Sequence, residues 1–208
     1  MTNYDAFAET FSNSRKNMHW PEIDEILTDI EDNGYHSILD VGCGNGRLFG
    51  EIQKRESIRN MSYIGIDSSK GMIEEAQKIY PTGTFLVSSM PKFENMPEKQ
   101  FDAIILLASF HHLETTEERA TCLENIKKYL SPKGSLYMTN WNLLEQEKYA
   151  KNHRGNGDFD IKIGEHTRYY HGFKLDELQD IFIKGGFYAK WNKLSESGRN
   201  LISKVVRN

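Results

Sequence analysis

Asp40, Gly42, Gly44 and Gly46 fall in the run "LDVGCGNGR", where an apolar stretch ends and a helix-like pattern begins. Glycines at this spacing let the backbone turn sharply and approach a ligand closely. A dinucleotide-binding fingerprint reads GxGxxG, whereas this run reads GxGxG with a carboxylate just before it. Beside a pyrophosphate that carboxylate would repel; beside an ammonium it would attract. A second acid, Asp67, closes the apolar run "YIGID" about twenty residues further on, the place from which a strand end reaches ribose hydroxyls. The two acids together describe a ligand with a ribose and a cationic tail.

Other side chains suit chemistry next to such a ligand. His111 and His112 follow an apolar run, "FDAIILLAS", and could take a proton from an amine or phenol. Packing beside the ligand is their alternative role. Arg168, Tyr169, Tyr170 and His171 stand consecutively in "RYYH", and Arg15 lies far upstream. These are cations and donors that could place a carboxylate nucleophile, which is ionised at neutral pH and needs no base. A polar-ended hydrophobic arm is the alternative for "RYYH", and a surface charge for Arg15.

The elements that must position these groups alternate. "SILDVG", "MSYIGID", "GTFLVSS", "FDAIILLAS" and "GSLYMTNWN" read as buried strands. "GRLFGEIQKR", "SKGMIEEAQKIY" and "TTEERATCLENIKKYL" read as the helices between them, the second capped by Ser68 or Ser69 and the third by Thr115 or Thr116. "KLDELQDIFIKGGF" is a further helix ended by Gly185 and Gly186, and "YAKWNKL" with "NLISKVVRN" reads as a closing hairpin. The expected fold is α/β: a Rossmann-like, seven-stranded, mostly parallel sheet with an antiparallel C-terminal hairpin and helices on both faces. Two helical patterns precede it. In the second, Trp20, Ile23, Ile26, Leu27 and Ile30 share one face, and Pro21 suits a first turn.

The 208 residues suit one domain, with 1–36 as a helical cover and 142–173 as a lid. "RGNGD" offers no apolar anchor, so 150–166 is expected to be mobile. A net charge of −4 gives no global steering toward nucleic acid, and two cysteines without a Cys/His cluster give no metal site. Cys43 is expected to fill a tight turn, with a nucleophilic role as the alternative. No apolar run is long enough for a membrane span, and the polar N-terminus is no signal peptide, so cytoplasm is the expected compartment.

S-adenosylmethionine has both a ribose and a cationic tail. On "LDVGCGNGRL", "IGIDSSKGMIEEA", "FDAIILLASFHHL" and "LSPKGSLYMTNW", residues 37–140 resemble the class I S-adenosylmethionine-dependent methyltransferases. The resemblance implies that Asp40, Gly42 and Gly44 cradle the methionine part, Asp67 binds the ribose, and Met72 covers the adenine. Relatives often carry an acid after strand three for the adenine amino group. Here the chain reads "VSSM", so Ser88, Ser89 and the Met90 backbone would serve. Cys43, Gly46, Ser68 and Leu107 complete the expected cofactor-binding set.

The flanks are similar to the tRNA wobble-uridine methyltransferases, which esterify a 5-carboxymethyl group. The matching residues are Phe11, Ser14, Arg15, Trp20 and Pro21; then Trp141, Glu145 and Gln146; then Arg168, Tyr169, Tyr170 and His171. One departure is that 151–167 is shorter and less basic than in eukaryotic relatives. The resemblance implies Arg168, Tyr170, His171, Arg15 and His111 as catalytic residues, tRNA as acceptor, and an activating protein subunit as a possible partner. A small-molecule O- or N-methyltransferase and a non-catalytic S-adenosylmethionine-binding module stay open. A nicotinamide oxidoreductase is disfavoured by the GxGxG spacing and Asp40.

Overall fold

The computed structural model describes residues 20–164 and 166–208. Arg15, Phe11 and Ser14, with the first helical pattern, lie outside the described residues. The second pattern is helix α1 (Pro21–Asp32), with Pro21 in its first turn. Then follow β1 (Ser37–Val41), α2 (Arg47–Gln53), β2 (Ser62–Asp67), α3 (Lys70–Ile79), β3 (Phe85–Val87) and β4 (Phe101–Leu107). A 3-10 turn at Phe110–His112 leads to α4 (Thr116–Tyr129) and β5 (Leu130–Trp141). Three short strands, β6 (His153–Gly155), β7 (Asp158–Ile163) and β8 (His166–His171), precede α5 (Leu175–Lys184), β9 (Phe187–Leu194) and β10 (Asn200–Arg207).

The main sheet has the order β3-β2-β1-β4-β5-β10-β9. β1 pairs in parallel with both β2 and β4, β2 with β3, and β4 with β5; β10 runs antiparallel to β5 and to β9. The expected seven-stranded sheet is therefore the observed one, and the reversal of strand order falls at β1, where the glycine run begins. Alternation along the strands divides the core. Leu39, Val41, Leu106 and Met138 face α4 and α5, packing with Leu123, Ile126, Leu178 and Phe182. Ile38, Ile105 and Tyr137 face the other helices, packing with Ile26, Leu27, Leu48 and Ile73. Period-two strands sandwiched by period-3.6 helices leave no other place for these apolar residues.

Local chemistry fixes the element ends. Thr115 caps α4 in a reciprocal capping box with Glu118. Ser69, not Ser68, caps α3 by accepting from the Met72 amide at 3.1 Å. The "SPKG" turn lies inside β5, as a bulge where the pairing jumps from Phe101↔Leu130 to Ala103↔Ser135. α1 is tied to the sheet by the Lys204–Asp29 ion pair at 2.6 Å.

Segment 142–173 differs from the expected loop. It folds into the antiparallel sheet β6-β7-β8, with β7 and β8 in register from Asp158↔His171 to Ile163↔His166. Its own core contains Leu143, Phe159, Ile161 and Tyr170. The anchor missing from "RGNGD" is supplied just after it, by Phe159 and Ile161 of β7.

Candidate functional site

A cavity of about 510 Å³ opens at the carboxyl ends of β1, β2 and β4. Its floor is the glycine run. Gly42 and Gly44 adopt φ of +78° and +54°. A Cβ at Gly42 would sit 2.6 Å from the Cβ of Ser109, whose hydroxyl donates to the Val41 carbonyl at 2.8 Å and ties the ends of β4 and β1 together. At Gly44 an added Cβ would meet nothing within 4 Å, so that side is open to a ligand. Gly46 also has φ +78°, but its missing Cβ leaves room for Phe85 at 2.8 Å, and it does not line the cavity. Its role is packing. Cys43 does line the cavity, and burial pushes its thiol well up, which keeps it protonated and fits a filler of the turn.

The two acids differ. Asp40 is 1% exposed; Oδ2 accepts from the Tyr63 hydroxyl at 2.7 Å, while Oδ1 has no hydrogen-bond partner among the described residues. Burial raises its carboxyl, against the Tyr63 hydrogen bond and with help from Asp67, from 3.8 to about 7. An orphaned buried acceptor whose ionised form lacks compensation fits a cationic ligand group. Asp67 is better supplied. Oδ2 accepts from the Gly44 amide and Oδ1 from the Ser69 amide, each at 2.9 Å. It therefore braces the glycine run as well as facing the cavity.

Beyond Asp67 the wall is Ser68, Met72, Ser88, Met90 and Leu107. The Ser88 hydroxyl is buried with no partner among the described residues. Ser89 is turned away: its amide and hydroxyl donate to Glu94 Oε2 at 2.9 and 2.7 Å. Of the expected serine pair, which lies just past the end of β3, the structure brings only Ser88 to the cavity. These residues fit S-adenosylmethionine, with Asp40 for the ammonium, Asp67 for the ribose, and the Met72–Ser88–Leu107 wall for the base.

The far wall is formed by His112, Trp141, Arg168 and Tyr170. Arg168 and Tyr170 are 2% and 1% exposed, and period two along β8 brings both to this face. Tyr170 stacks on Trp141 with ring centroids 5.0 Å apart at 17°, and lies 4.5 Å from His112. His171 takes the opposite face, between Asp158 and Glu177, away from the cavity. Its expected catalytic role is corrected on that ground. His111 is corrected too. It is fully buried behind the wall, its Nδ1 accepting from the Trp141 amide at 3.2 Å. His112 is the histidine that reaches the cavity, and its Nδ1 must donate to the Tyr169 carbonyl at 3.1 Å, which makes Nε2 the basic nitrogen of a neutral ring. The sequence pairs 111 and 112 symmetrically; only the 3-10 turn separates their directions. Ala108, with φ +49°, is a lining residue without a sequence signal.

Residues 38–134 match a family described as a methyltransferase domain. An uncharacterized methyltransferase of Bacillus cytotoxicus is 26% identical over 196 residues, 92% of this chain and 88% of the relative. The tRNA (carboxymethyluridine(34)-5-O)-methyltransferase of Saccharomyces cerevisiae is 31% identical over 155 residues, 73% of this chain and 51% of that enzyme, so the chain spans about half its length. The solved structure of an S-adenosylmethionine-bound amino pentose methyltransferase from Micromonospora echinaspora superposes with a TM-score of 0.74 at 18% identity, covering 100% of this chain and 98% of that one. The domain match and a parallel sheet that reverses at a glycine run, with Asp40 and Asp67 on the cavity wall, identify the chain as an S-adenosylmethionine-dependent methyltransferase.

Proposed function

We propose that the protein methylates a carboxylate oxygen, that of a 5-carboxymethyl group on a tRNA wobble uridine. The observation that carries this reading is the pair Arg168 and Tyr170, a buried guanidinium and a phenol brought to the cavity wall by one face of β8. The similarity to the yeast enzyme supports it further.

When bound, S-adenosylmethionine supplies a methyl carbon on a sulfonium, whose S–C bond breaks as a nucleophile attacks. The rest is done by the chain. Asp40 and Asp67 hold the ammonium and ribose ends and so fix the ligand's direction in the cavity. Arg168 pairs with the acceptor carboxylate in a planar fork, which offsets the loss of water from a buried anion and sets its orientation. Tyr170, held by Trp141 and His112, limits where the acceptor chain can lie. Alignment of this kind supplies much of the rate in a displacement that needs no base.

A second reading, O- or N-methylation of a small molecule, is favoured by His112, whose Nε2 is a proton acceptor on the cavity wall. The deciding experiment offers labelled cofactor with tRNA carrying 5-carboxymethyluridine and analyses the nucleosides by mass. The expected product is the methyl ester at that uridine, with His112→Gln slowing turnover only modestly. No ester from the tRNA, together with turnover of a phenol or amine abolished by His112→Gln, would select the second reading.

A further inference from the structure

The face of β8 turned away from the cavity carries a charge arrangement that methyl transfer leaves unused. His171 Nδ1 lies 2.8 Å from Asp158 Oδ1 on β7, and Nε2 lies 2.8 Å from Glu177 Oε1 on α5. The ring is buried, edge-on to Phe173 with centroids 4.6 Å apart. Gly157, at φ +82° in the β6–β7 turn, comes so near that an added Cβ would be 3.0 Å from Cε1 of the ring. The imidazole cannot turn away from either acid without moving three elements.

Carboxylates at both ring nitrogens call for two N–H donors. A neutral imidazole has one; an imidazolium has both. The other titratable or charged groups facing the cluster are Tyr169, which donates to Asp158 Oδ1 at 2.6 Å, and Arg119 of α4, which donates to the Tyr169 hydroxyl at 3.1 Å. Arg119 and an imidazolium balance Asp158 and Glu177. A neutral ring leaves the cluster one negative charge in excess and sets a nitrogen lone pair against a carboxylate oxygen. Burial acts to raise both acids, but hydrogen bonds from Tyr169 and His171 to Asp158, and from His171 to Glu177, outweigh it and hold both below the usual carboxylate range. The acids therefore do not take the proton in place of the ring.

We propose that His171 is a positioning residue: as a cation it clamps β7, β8 and α5 together and so holds Arg168 and Tyr170, on the opposite face of the same strand, at the cavity wall. The consequence for turnover rests on Arg168 being the acceptor's partner; the clamp itself does not. The clamp acts on the acceptor side of the site, since Asp40, Asp67 and the glycine run sit on other elements.

Two variants of the full chain test this, His171→Gln and Glu177→Gln. Glutamine at 177 can either donate or accept, so it satisfies the ring in both protonation states. With tRNA carrying 5-carboxymethyluridine and saturating cofactor, wild-type kcat/KM for the acceptor should be higher at acid than at alkaline pH. Glu177→Gln should keep the low-pH turnover and lose the fall. His171→Gln should be about tenfold slower at low pH and flat, with cofactor Kd within about twofold of wild type. An unchanged alkaline fall in Glu177→Gln, or wild-type turnover in His171→Gln, overturns the proposal. Amide hydrogen exchange of residues 168–171, compared between wild type and Glu177→Gln at each pH, needs no acceptor. Protection lost at high pH in wild type alone supports the clamp; equal protection throughout overturns it. If wild type leaves the tRNA unmethylated, the acceptor assignment fails and the exchange experiment still decides the clamp.

Discussion

Replacing Asp40 by asparagine separates two effects of the wild-type carboxylate. Asp40 lines the cavity, its Oδ1 is buried with no hydrogen-bond partner among the described residues, and its carboxyl is raised from 3.8 to about 7, mainly by burial. Three units at about 1.4 kcal/mol each give an upper figure of roughly 4 kcal/mol for ionising the folded, cofactor-free protein. Well below pH 3.8 the group is protonated whether the chain is folded or not. From about pH 4 to about pH 7 the unfolded chain releases this proton while the folded chain keeps it, so stability falls as pH rises. Above about pH 7 both are ionised and the loss is complete. Asparagine keeps an acceptor for Tyr63 but sets an amide N–H2 toward the cavity, which takes back about 1 kcal/mol or more. Without cofactor the variant should be no more stable than wild type near pH 3 and about 1–3 kcal/mol more stable near pH 8, by urea denaturation. The ammonium of S-adenosylmethionine loses its carboxylate in the same variant. Removing one partner of a buried charge pair costs about 2–5 kcal/mol, so Kd by calorimetry should weaken at least roughly thirtyfold. Wild-type affinity should also rise with pH up to about 7, and that of the variant should not. A variant with no pH-dependent gain in stability, or with wild-type cofactor affinity, would refute the reasoning.

Arg168→Ala should lower acceptor kcat/KM by about 10²-fold, about 2.7 kcal/mol at ~1.4 kcal/mol per tenfold, and leave cofactor Kd unchanged. Arg168→Lys should restore only part, because an ammonium cannot form the fork; wild-type rates in both would move the acceptor site elsewhere. Ser88→Ala removes a buried hydroxyl that has no protein partner among the described residues, so it should leave cofactor-free stability within about 1 kcal/mol and weaken cofactor binding by roughly 3–10-fold, read by calorimetry. Gly46→Ala combines φ +78° with a 2.8 Å approach to the Phe85 ring and should destabilise by about 1–3 kcal/mol in denaturant; a neutral result would mean that Phe85 yields freely.

The sheet and its ligand edge were legible because each rests on local pattern. Apolar strands, 3.6-period helices and the glycine run are all visible within ten residues, and so were Asp40, Asp67 and Met72 as cavity residues. The direction of a side chain within a legible segment was harder. "RYYH" reads as four converging groups until it is known to be a strand, and then Arg168 and Tyr170 part from Tyr169 and His171. Ser88 and Ser89 part just past the end of β3, where no strand period applies. His111 and His112 part for another reason, the 3-10 turn after β4, which leaves no periodic trace. The clamp around His171 joins Asp158 and Glu177 from either side of it in sequence, and Arg119 from 52 residues upstream. Nothing local marks that meeting. "DFDIKI" was readable as an alternating strand, but the glycines beside it drew the reading toward a loop.

The small sheet leaves the main fold at Asn142 and returns at Gly172, and these ends touch: a Cβ on Gly172 would lie 3.2 Å from the Cβ of Leu143. A module whose two ends meet can be lengthened, shortened or exchanged with little entropic effect on the body that carries it. The domain match stops at residue 134, before this module begins. Lineages sharing the same cofactor engine could therefore diverge by swapping one cassette of about thirty residues. A chimaera taking residues 143–171 from a relative tests whether this module sets the methyl acceptor.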